Sequence, residues 1–390
     1  MADAKAPAPA GAATAEADPE RIPFNDLAAQ RRRLGPALDD ALAGVFAHGR
    51  YILGPEVGAL ETHLATFTGQ RHAVTCSSGT DALALVLMAW EIGPGDAVFV
   101  PGFTIAASAE GVAWLGATPV FCDVREDTFN LDAASLEAAI EDARGAGLRP
   151  KAVIPVDLFG QAADYERIEP IARANGLKVL CDAAQSFGAA LHGRRVGGFG
   201  DATALSFFPS KPLGCYGDGG AVLTADEETA ATIRSLRVHG AGRDEYENVR
   251  IGRNARLDTV QAAILLAKLE VIEDEIAARQ RVAARYDQAL KRLVDIPGSI
   301  AGANSVWAQY TIRLNARDTV AARVRADGIP SAVYYPVPLN RQPAYRDYPS
   351  APGGTPVADR LAARVLSLPM HAYLDEATQD RIVKAIQDAL

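Results

Sequence analysis

Residues 202–225 read ATALSFFPSKPLGCYGDGGAVLTA. Two β-rich apolar runs flank a loop in which Lys211 stands between Pro209 and Pro212, followed by Gly214, Gly217, Gly219 and Gly220. The first run is a strand that delivers the chain to one edge of a sheet. The two prolines stiffen the loop that holds the amine. In an open parallel α/β sheet, ligands bind outside the carboxyl ends of the strands, so this lysine is placed for chemistry rather than for solubility. An amine held in an apolar cleft gives up proton affinity, which suits it to nucleophilic attack on a carbonyl.

The sheet itself is read from the rest of the chain. HAVTCS, AVFVPG, TPVFCDV, AVIPVDLFG, KVLCDAA, ATALSFF and GAVLTA recur from His72 to Ala225, most of them separated by segments of helical length and pattern. That alternation predicts an α/β fold with a mainly parallel seven-stranded sheet covered on both faces. Upstream, FNDLAAQRRRLGPALDDALAGVFAHG reads as mostly helical, and Pro55 after the turn GRYILG opens another helix. From Leu257, apolar positions through Ile276 predict one long helix leaving the large domain. A smaller C-terminal α/β domain follows, with WAQYTIRL and SAVYYPV as strands and ARDTVAARVRADG and DEATQDRIVKAIQDAL as helices. The division is a disordered Ala/Pro tail over 1–21, a large domain over 22–265 and a small domain over 266–390.

Composition narrows the class. At 390 residues, 49% hydrophobic and 22% charged, the chain has material for two well-buried cores. A net charge of −9 disfavours a nucleic-acid backbone as partner, and no stretch is long and apolar enough to predict a membrane span. The four cysteines are widely spaced and form no CxxC, which predicts reduced thiols, a cytoplasmic location and no metal site. No internal repeat is present. Neither GxGxxG nor GxxxxGK[ST] occurs, so nicotinamide and P-loop readings have no motif.

Two further strand ends join the lysine. VLCDAAQSFGA places Asp182 at the end of an apolar run, where it serves equally as a helix cap, a buried ion-pair partner or the acid beneath a cationic ring. VTCSSGTDALALVLMA is strand, small-residue turn and helix, and the backbone N–H groups of Gly79 and Thr80 are suited to a phosphate dianion unless they merely belong to an ordinary cap. Together the three fit pyridoxal 5'-phosphate: Lys211 for the aldehyde, Asp182 to keep the ring nitrogen protonated, and the turn for the phosphate.

At these residues the sequence resembles the DegT/DnrJ group of pyridoxal-phosphate-dependent nucleotide-sugar aminotransferases, within the aspartate aminotransferase-like fold (fold type I). CSSGTDAL, PVDLFGQ, CDAAQSFGA, SFFPSKPLGCYGDGG, NARLDTVQAAIL and LSLPMHAYL occur in the family's order, and the likeness runs from about Phe24 to the C-terminus. It implies Lys211 as the catalytic lysine, Asp182 on the pyridine nitrogen and Gln185 near the phenolic oxygen. It also implies Gly79, Thr80 and Ser206 on the phosphate, with Asn254 reaching in from the other subunit of a homodimer whose active sites are shared. The wording of the lysine loop is most similar to enzymes that aminate the C3 carbonyl of UDP-linked 3-oxo-N-acetylglucosaminuronate for O-antigen and other surface polysaccharides, with L-glutamate as amino donor. Alternatives are a C3 or C4 aminotransferase for a dTDP-, UDP- or GDP-linked 6-deoxy keto sugar, and a non-catalytic regulator that binds the cofactor.

Three positions depart from the family pattern. Ile105 stands where an aromatic side chain commonly stacks on the pyridine ring, which shifts ring orientation to other contacts such as Phe103. Tyr334 replaces a usual histidine, and QAADYE after Gly160 differs slightly. Tyr51, Tyr334, Tyr335, His371 and the partner-directed Arg256 are the candidate contacts to the nucleotide sugar. Arg256 suits a carboxylate or diphosphate, but would equally cap the helix or pair with Asp258. His371 is otherwise a packed turn residue.

Overall fold

The computed structural model describes residues 22–244 and 246–390, so the tail assigned to 1–21 lies outside the described residues. Its strands are β1 (His72–Cys76), β2 (Asp96–Pro101), β3 (Thr118–Cys122), β4 (Arg149–Val153), β5 (Lys178–Asp182), β6 (Ala190–Leu191), β7 (Arg194–Arg195), β8 (Ala202–Ser206), β9 (Gly220–Thr224), β10 (Ala303–Asn304), β11 (Tyr310–Arg313) and β12 (Val365–Leu368). Seven of them form one sheet in the order β1-β9-β8-β5-β4-β2-β3. Only β9 runs against its neighbours. The reason lies in the connections: helical crossovers, or between β5 and β8 the β6–β7 excursion, return the chain to parallel strands, whereas β8 passes to β9 through the lysine loop alone and reverses.

Alternate residues of the strands feed two cores. Phe99 and Val153 point into the layer containing Leu60, Leu64, Ile140, Ile168 and Leu265, while Val98, Val100 and Ala152 face Leu83, Val86, Val112 and Ile233. Burial on both faces explains why these strands are continuous apolar runs. All five residues of β9 and all six of β2 are buried. β11 and β12 make a separate antiparallel pair that packs with the helices Ile272–Leu290, Arg317–Ala326 and Glu376–Ala389 around Tyr286, Tyr310, Leu366, Leu368 and Ile386. The fold is therefore α/β, with the large sheet and the smaller C-terminal assembly that the periodicity predicts.

Three local readings change. The helix expected without interruption from Leu257 is two helices, Thr259–Leu269 and Ile272–Leu290, separated at Val271, whose φ of −115° and ψ of 0° break the helical ladder. The break lets Leu265, Leu269, Ile272 and Ile276 stay with the large core while Val282, Tyr286 and Leu290 turn to the small one. SAVYYPV is not a strand. Pro336 and Pro338 remove ladder donors, and only an isolated bridge joins Ala332 to Ser367, so the true partner of β11 is β12. In AVIPVDLFG the strand lies earlier, at Arg149–Val153, and Leu158–Gly160 forms a 3-10 turn.

Candidate active site

Cys76, Pro101, Asp182 and Ser206 end β1, β2, β5 and β8 on one edge of the large sheet. Because β9 runs the other way, its first residue, Gly220, pairs with both Cys76 and Ser206 and closes the gap between those strand ends. The turn after β1 and the lysine loop after β8 are thus brought side by side by register alone.

Ser78 caps the helix Gly79–Ala89 by accepting a hydrogen bond from Asp81 N at 3.0 Å. Arg253 pairs with Asp81 at 2.8 Å and holds the first turn from outside. The two foremost N–H groups, on Gly79 and Thr80, lie at the positive end of the helix and are free of the capping bond. A Cβ on Gly79 would stand 2.6 Å from the Ser206 Cβ, so the turn meets the strand end at a distance that only glycine permits. The N–H groups of Gly79 and Thr80 and the Ser206 hydroxyl therefore lie close together at this strand end, an arrangement suited to a phosphate.

Asp182 is 2% exposed. Its Oδ2 accepts a hydrogen bond from Ser108 Oγ at 2.9 Å and its Oδ1 one from Ala184 N at 3.2 Å. Burial raises its proton affinity, against which the two donors and the Lys211 charge act. Lys211 is the counterpart: burial lowers the proton affinity of its amine, and the one charge opposing this is Asp182. The two buried groups thus lie close enough for each charge to act on the other. Gln185, also buried, accepts from Phe159 N at 2.6 Å and reaches the Tyr335 hydroxyl at 3.5 Å. Tyr335 packs edge-on against Phe103, ring centres 6.0 Å apart, and against Tyr334 at 5.9 Å.

Behind Asp182 lies a second carboxylate that the sequence does not single out. Asp157 is fully buried and accepts from Ala163 N and Tyr165 OH, both at 2.7 Å, and from Ser186 Oγ at 2.8 Å. Its backbone N–H donates to the Asp182 carbonyl at 3.0 Å. Burial pushes its carboxyl up to about 7, with a smaller push from the Asp182 charge. Ser108 and Asp157 adjoin Asp182 and the Gln185 turn; Asp157 lies within the PVDLFGQ motif without being singled out there, and Ser108 lies in none of the quoted motifs.

The remaining candidates divide into groups. Ile105 is 48% exposed on the loop after β2, whereas Phe103 is fully buried and offers no open face; its support for a ring would pass through Tyr335. Tyr51, Asn254 and Arg256 lie on an adjoining strip: Tyr51 O accepts from Thr259 N, Ile52 bridges to Asp258, and Ala255 O accepts from Ser77 N. Asn254 is exposed, and the buried Nε of Arg256 has no hydrogen-bond partner among the described residues. Tyr334 stacks edge-on with Phe24. His371 is 3% exposed, both ring nitrogens lack a well-formed hydrogen bond, and burial beside Arg279 pushes it down to about 4; it lines a narrow cavity with Lys211, Gln30, Glu275 and Arg279.

All four cysteines are buried free thiols, and burial pushes Cys215, within the lysine loop, up to about 11. Among the described residues no helix is long and apolar enough to cross a membrane, and no cluster of His, Cys, Asp and Glu is arranged for a metal ion.

Comparison with known proteins agrees with this geometry. Residues 34–387 match the model of the DegT/DnrJ/EryC1/StrS aminotransferase family. UDP-2-acetamido-2-deoxy-3-oxo-D-glucuronate aminotransferase of Pseudomonas aeruginosa is 50% identical over 94% of this chain and 99% of its own. UDP-N-acetyl-3-dehydro-alpha-D-glucosamine 3-aminotransferase of Acidithiobacillus ferrooxidans is 44% identical over 95% and 98%. A crystal structure of a DegT DnrJ EryC1 StrS aminotransferase from Brucella abortus superposes with a TM-score of 0.93 at 53% identity, covering 94% of this chain and 99% of that one. NtdA of Bacillus subtilis, solved with bound cofactor PMP, superposes with a TM-score of 0.86 at 28% identity, covering 95% and 85%. With a buried lysine, a buried acid and a small-residue turn at one sheet edge, this chain is a pyridoxal-phosphate-dependent aminotransferase and belongs to the DegT/DnrJ/EryC1/StrS aminotransferase family.

Proposed function

We propose that the protein transfers an amino group from L-glutamate to the C3 carbonyl of UDP-linked 3-oxo-N-acetylglucosaminuronate, in the cytoplasm, as a step toward a diamino sugar of O-antigen or another surface polysaccharide. The observation that supports the chemistry is the Lys211 amine, reduced in proton affinity by burial and acted on by the charge of buried Asp182. The choice of sugar rests on the likeness to the Pseudomonas aeruginosa enzyme.

When bound, pyridoxal phosphate supplies an aldehyde for the amine and a ring that accepts electrons. Asp182, supported by Ser108, is assigned to the ring nitrogen, where an ionised carboxylate keeps that nitrogen protonated. Gly79, Thr80 and Ser206 are assigned to the phosphate, and Gln185 to the phenolic oxygen. The Lys211 amine then removes a proton from the α-carbon of the donor and, in the second half-reaction, delivers one to C3 of the sugar. Its lowered proton affinity matters at both steps, because a permanently charged lysine accepts nothing. Tyr335, packed edge-on against the buried Phe103, is assigned to the wall that keeps water from the reacting atoms.

Two copies complete each site in this reading. The exposed Asn254 supplies a phosphate contact, and the guanidinium of Arg256, whose Nε has no hydrogen-bond partner among the described residues, meets the uronate carboxylate or the diphosphate of the partner's substrate. Tyr51, Tyr334, Tyr335 and His371 are the other sugar-nucleotide contacts. The test is to convert the enzyme to its amino form with glutamate, then add keto-sugar nucleotides one at a time and record which restores the original absorbance. UDP-3-oxo-N-acetylglucosaminuronate is expected to react, with Lys211→Ala inert throughout. Recovery only with a 6-deoxy-4-keto sugar overturns the choice of substrate, and turnover by the alanine variant overturns the role of Lys211.

A further inference from the structure

On the helix Thr259–Leu269 the half-buried Gln261 and the buried Lys268 stand seven residues, thus two turns, apart. Lys268 is 2% exposed among Leu265 and Leu269. Its amine donates to the Gly214 carbonyl at 2.6 Å and lies 4.2 Å from the centre of the Tyr216 ring. No carboxylate forms an ion pair with it among the described residues; Glu275 acts on it only at longer range. Gln261 presents its carboxamide to the same segment: Oε1 accepts from Tyr216 N at 2.8 Å and Nε2 donates to Tyr216 O at 3.1 Å. Those two bonds imitate a neighbouring β-strand for a piece of chain that has none.

The segment so held is the loop that carries Lys211. Within it Lys211 N donates to Phe208 O at 2.9 Å and Cys215 N to Phe207 O at 2.8 Å, and Asn25 Nδ2 reaches Ser210 O at 3.2 Å from outside. Phe207 N also donates to Gly219 O at 2.7 Å and Cys215 Sγ reaches Phe207 O at 3.1 Å, so the ends of the loop are tied to each other. Among the described residues the stretch 208–214 holds only the Lys211–Phe208 bond within it and depends on outside contacts for its position. Stability does not account for the lysine either. A methionine has similar length, would fill the same volume, and would avoid burying an ammonium for one carbonyl and one ring face.

We infer that Gln261 and Lys268 are positioning residues that clamp the 211–217 loop and thereby fix the amine of Lys211 over its reaction partner. The inference rests on the reading of Lys211 as the reacting amine. It assigns the clamp to the helix that links the large core to the small domain, so the reacting amine is set from the interdomain side rather than from the sheet.

The experiment compares wild type with Lys268→Met and Gln261→Leu, first without cofactor and then loaded. In the cofactor-free proteins, amide exchange is expected to accelerate at Lys211 and Cys215 while β5, β8 and β9 keep wild-type protection, with melting of Lys268→Met at or above wild type. In the loaded proteins, kcat is expected to fall on the order of a hundredfold with KM for the keto sugar unchanged. Unchanged exchange and unchanged kcat would overturn the inference, as would acceleration throughout the strands, which marks Lys268 as general core support. If Lys268→Met fails to fold, Gln261→Leu decides: loosening confined to the loop supports the clamp, and its absence overturns it. The exchange arm needs no turnover, so a failure of the Lys211 assignment, seen as turnover by Lys211→Ala, is distinguishable from a failure of the clamp.

Discussion

Replacing Gly79 by alanine probes the phosphate cradle through its tightest contact. The added Cβ would stand 2.6 Å from the Cβ and 3.2 Å from the Cα of Ser206. Carbon atoms rest about 3.5–4.0 Å apart, so the turn and the end of β8 must separate by about 1 Å. Overpacking of this kind costs about 1–3 kcal/mol. The displaced groups are the ones assigned to the phosphate, so cofactor affinity is expected to fall about tenfold to a hundredfold, a change of about 1.4–2.8 kcal/mol. The assay is titration of the cofactor-free protein with pyridoxal phosphate, followed by absorbance, beside calorimetric melting of the same preparation. Ser206→Ala separates the two effects: it keeps the Cβ and loses the hydroxyl, so it should weaken binding with little change in melting. Gly79→Ala with Ser206→Gly relieves the Cβ overlap and should recover melting without recovering affinity. Wild-type affinity and wild-type melting in Gly79→Ala alone would refute both the close approach and the cradle.

Ser108→Ala removes a donor to the buried Asp182 carboxylate and is expected to cost about 1.5–3 kcal/mol at pH 8, measured by urea unfolding without cofactor. Because the folded-state proton affinity of Asp182 is already raised, the loss should shrink as the pH falls and the carboxyl protonates; a loss that grows in acid refutes the assignment. Asp157 holds its proton to about pH 7 when folded, against an ordinary value of 3.8. Its contribution to stability is therefore full below pH 4 and lost as the pH rises through 7. Asp157→Asn lacks that loss, so its stability relative to wild type should climb between pH 4 and 7 in urea titrations, and a flat or falling difference refutes the burial argument. If sites are shared across a dimer, mixing inactive Lys211→Ala with inactive Asn254→Ala should restore activity through hybrids with one intact site, about a quarter of wild type after full exchange. No recovery, with exchange verified by mass spectrometry, would place Asn254 in its own subunit's site or in none.

The parts of the site legible in the sequence are those carried by local pattern. Lys211 is announced by its prolines and glycines, Asp182 by an acid ending an apolar strand, and Gly79 and Thr80 by a small-residue turn before a helix. Ser108 and Asp157 belong to other segments and matter only because the sheet order sets β5 between β4 and β8. Lys268 carried a signal that helical spacing would have exposed: a charge three residues after Leu265 falls on the apolar face. SAVYYPV failed as a strand because its β-rich composition outweighed Pro336, and the burial of Phe103 was not legible because nothing local distinguishes a buried aromatic from an available one.

The alternation of apolar runs and helices by itself determined a doubly covered α/β sheet, since short two-sided apolar strands have no other stable burial. Likewise, a lysine, an acid and a small-residue turn at three strand ends pointed to one class of chemistry, because parallel strands present those ends along one edge. What tertiary structure alone decided is how closely those groups meet and who supports them. Strand order, the reversal of β9, the break at Val271 and the clamp from Gln261 and Lys268 all depend on contacts between residues tens of positions apart, which no local periodicity encodes.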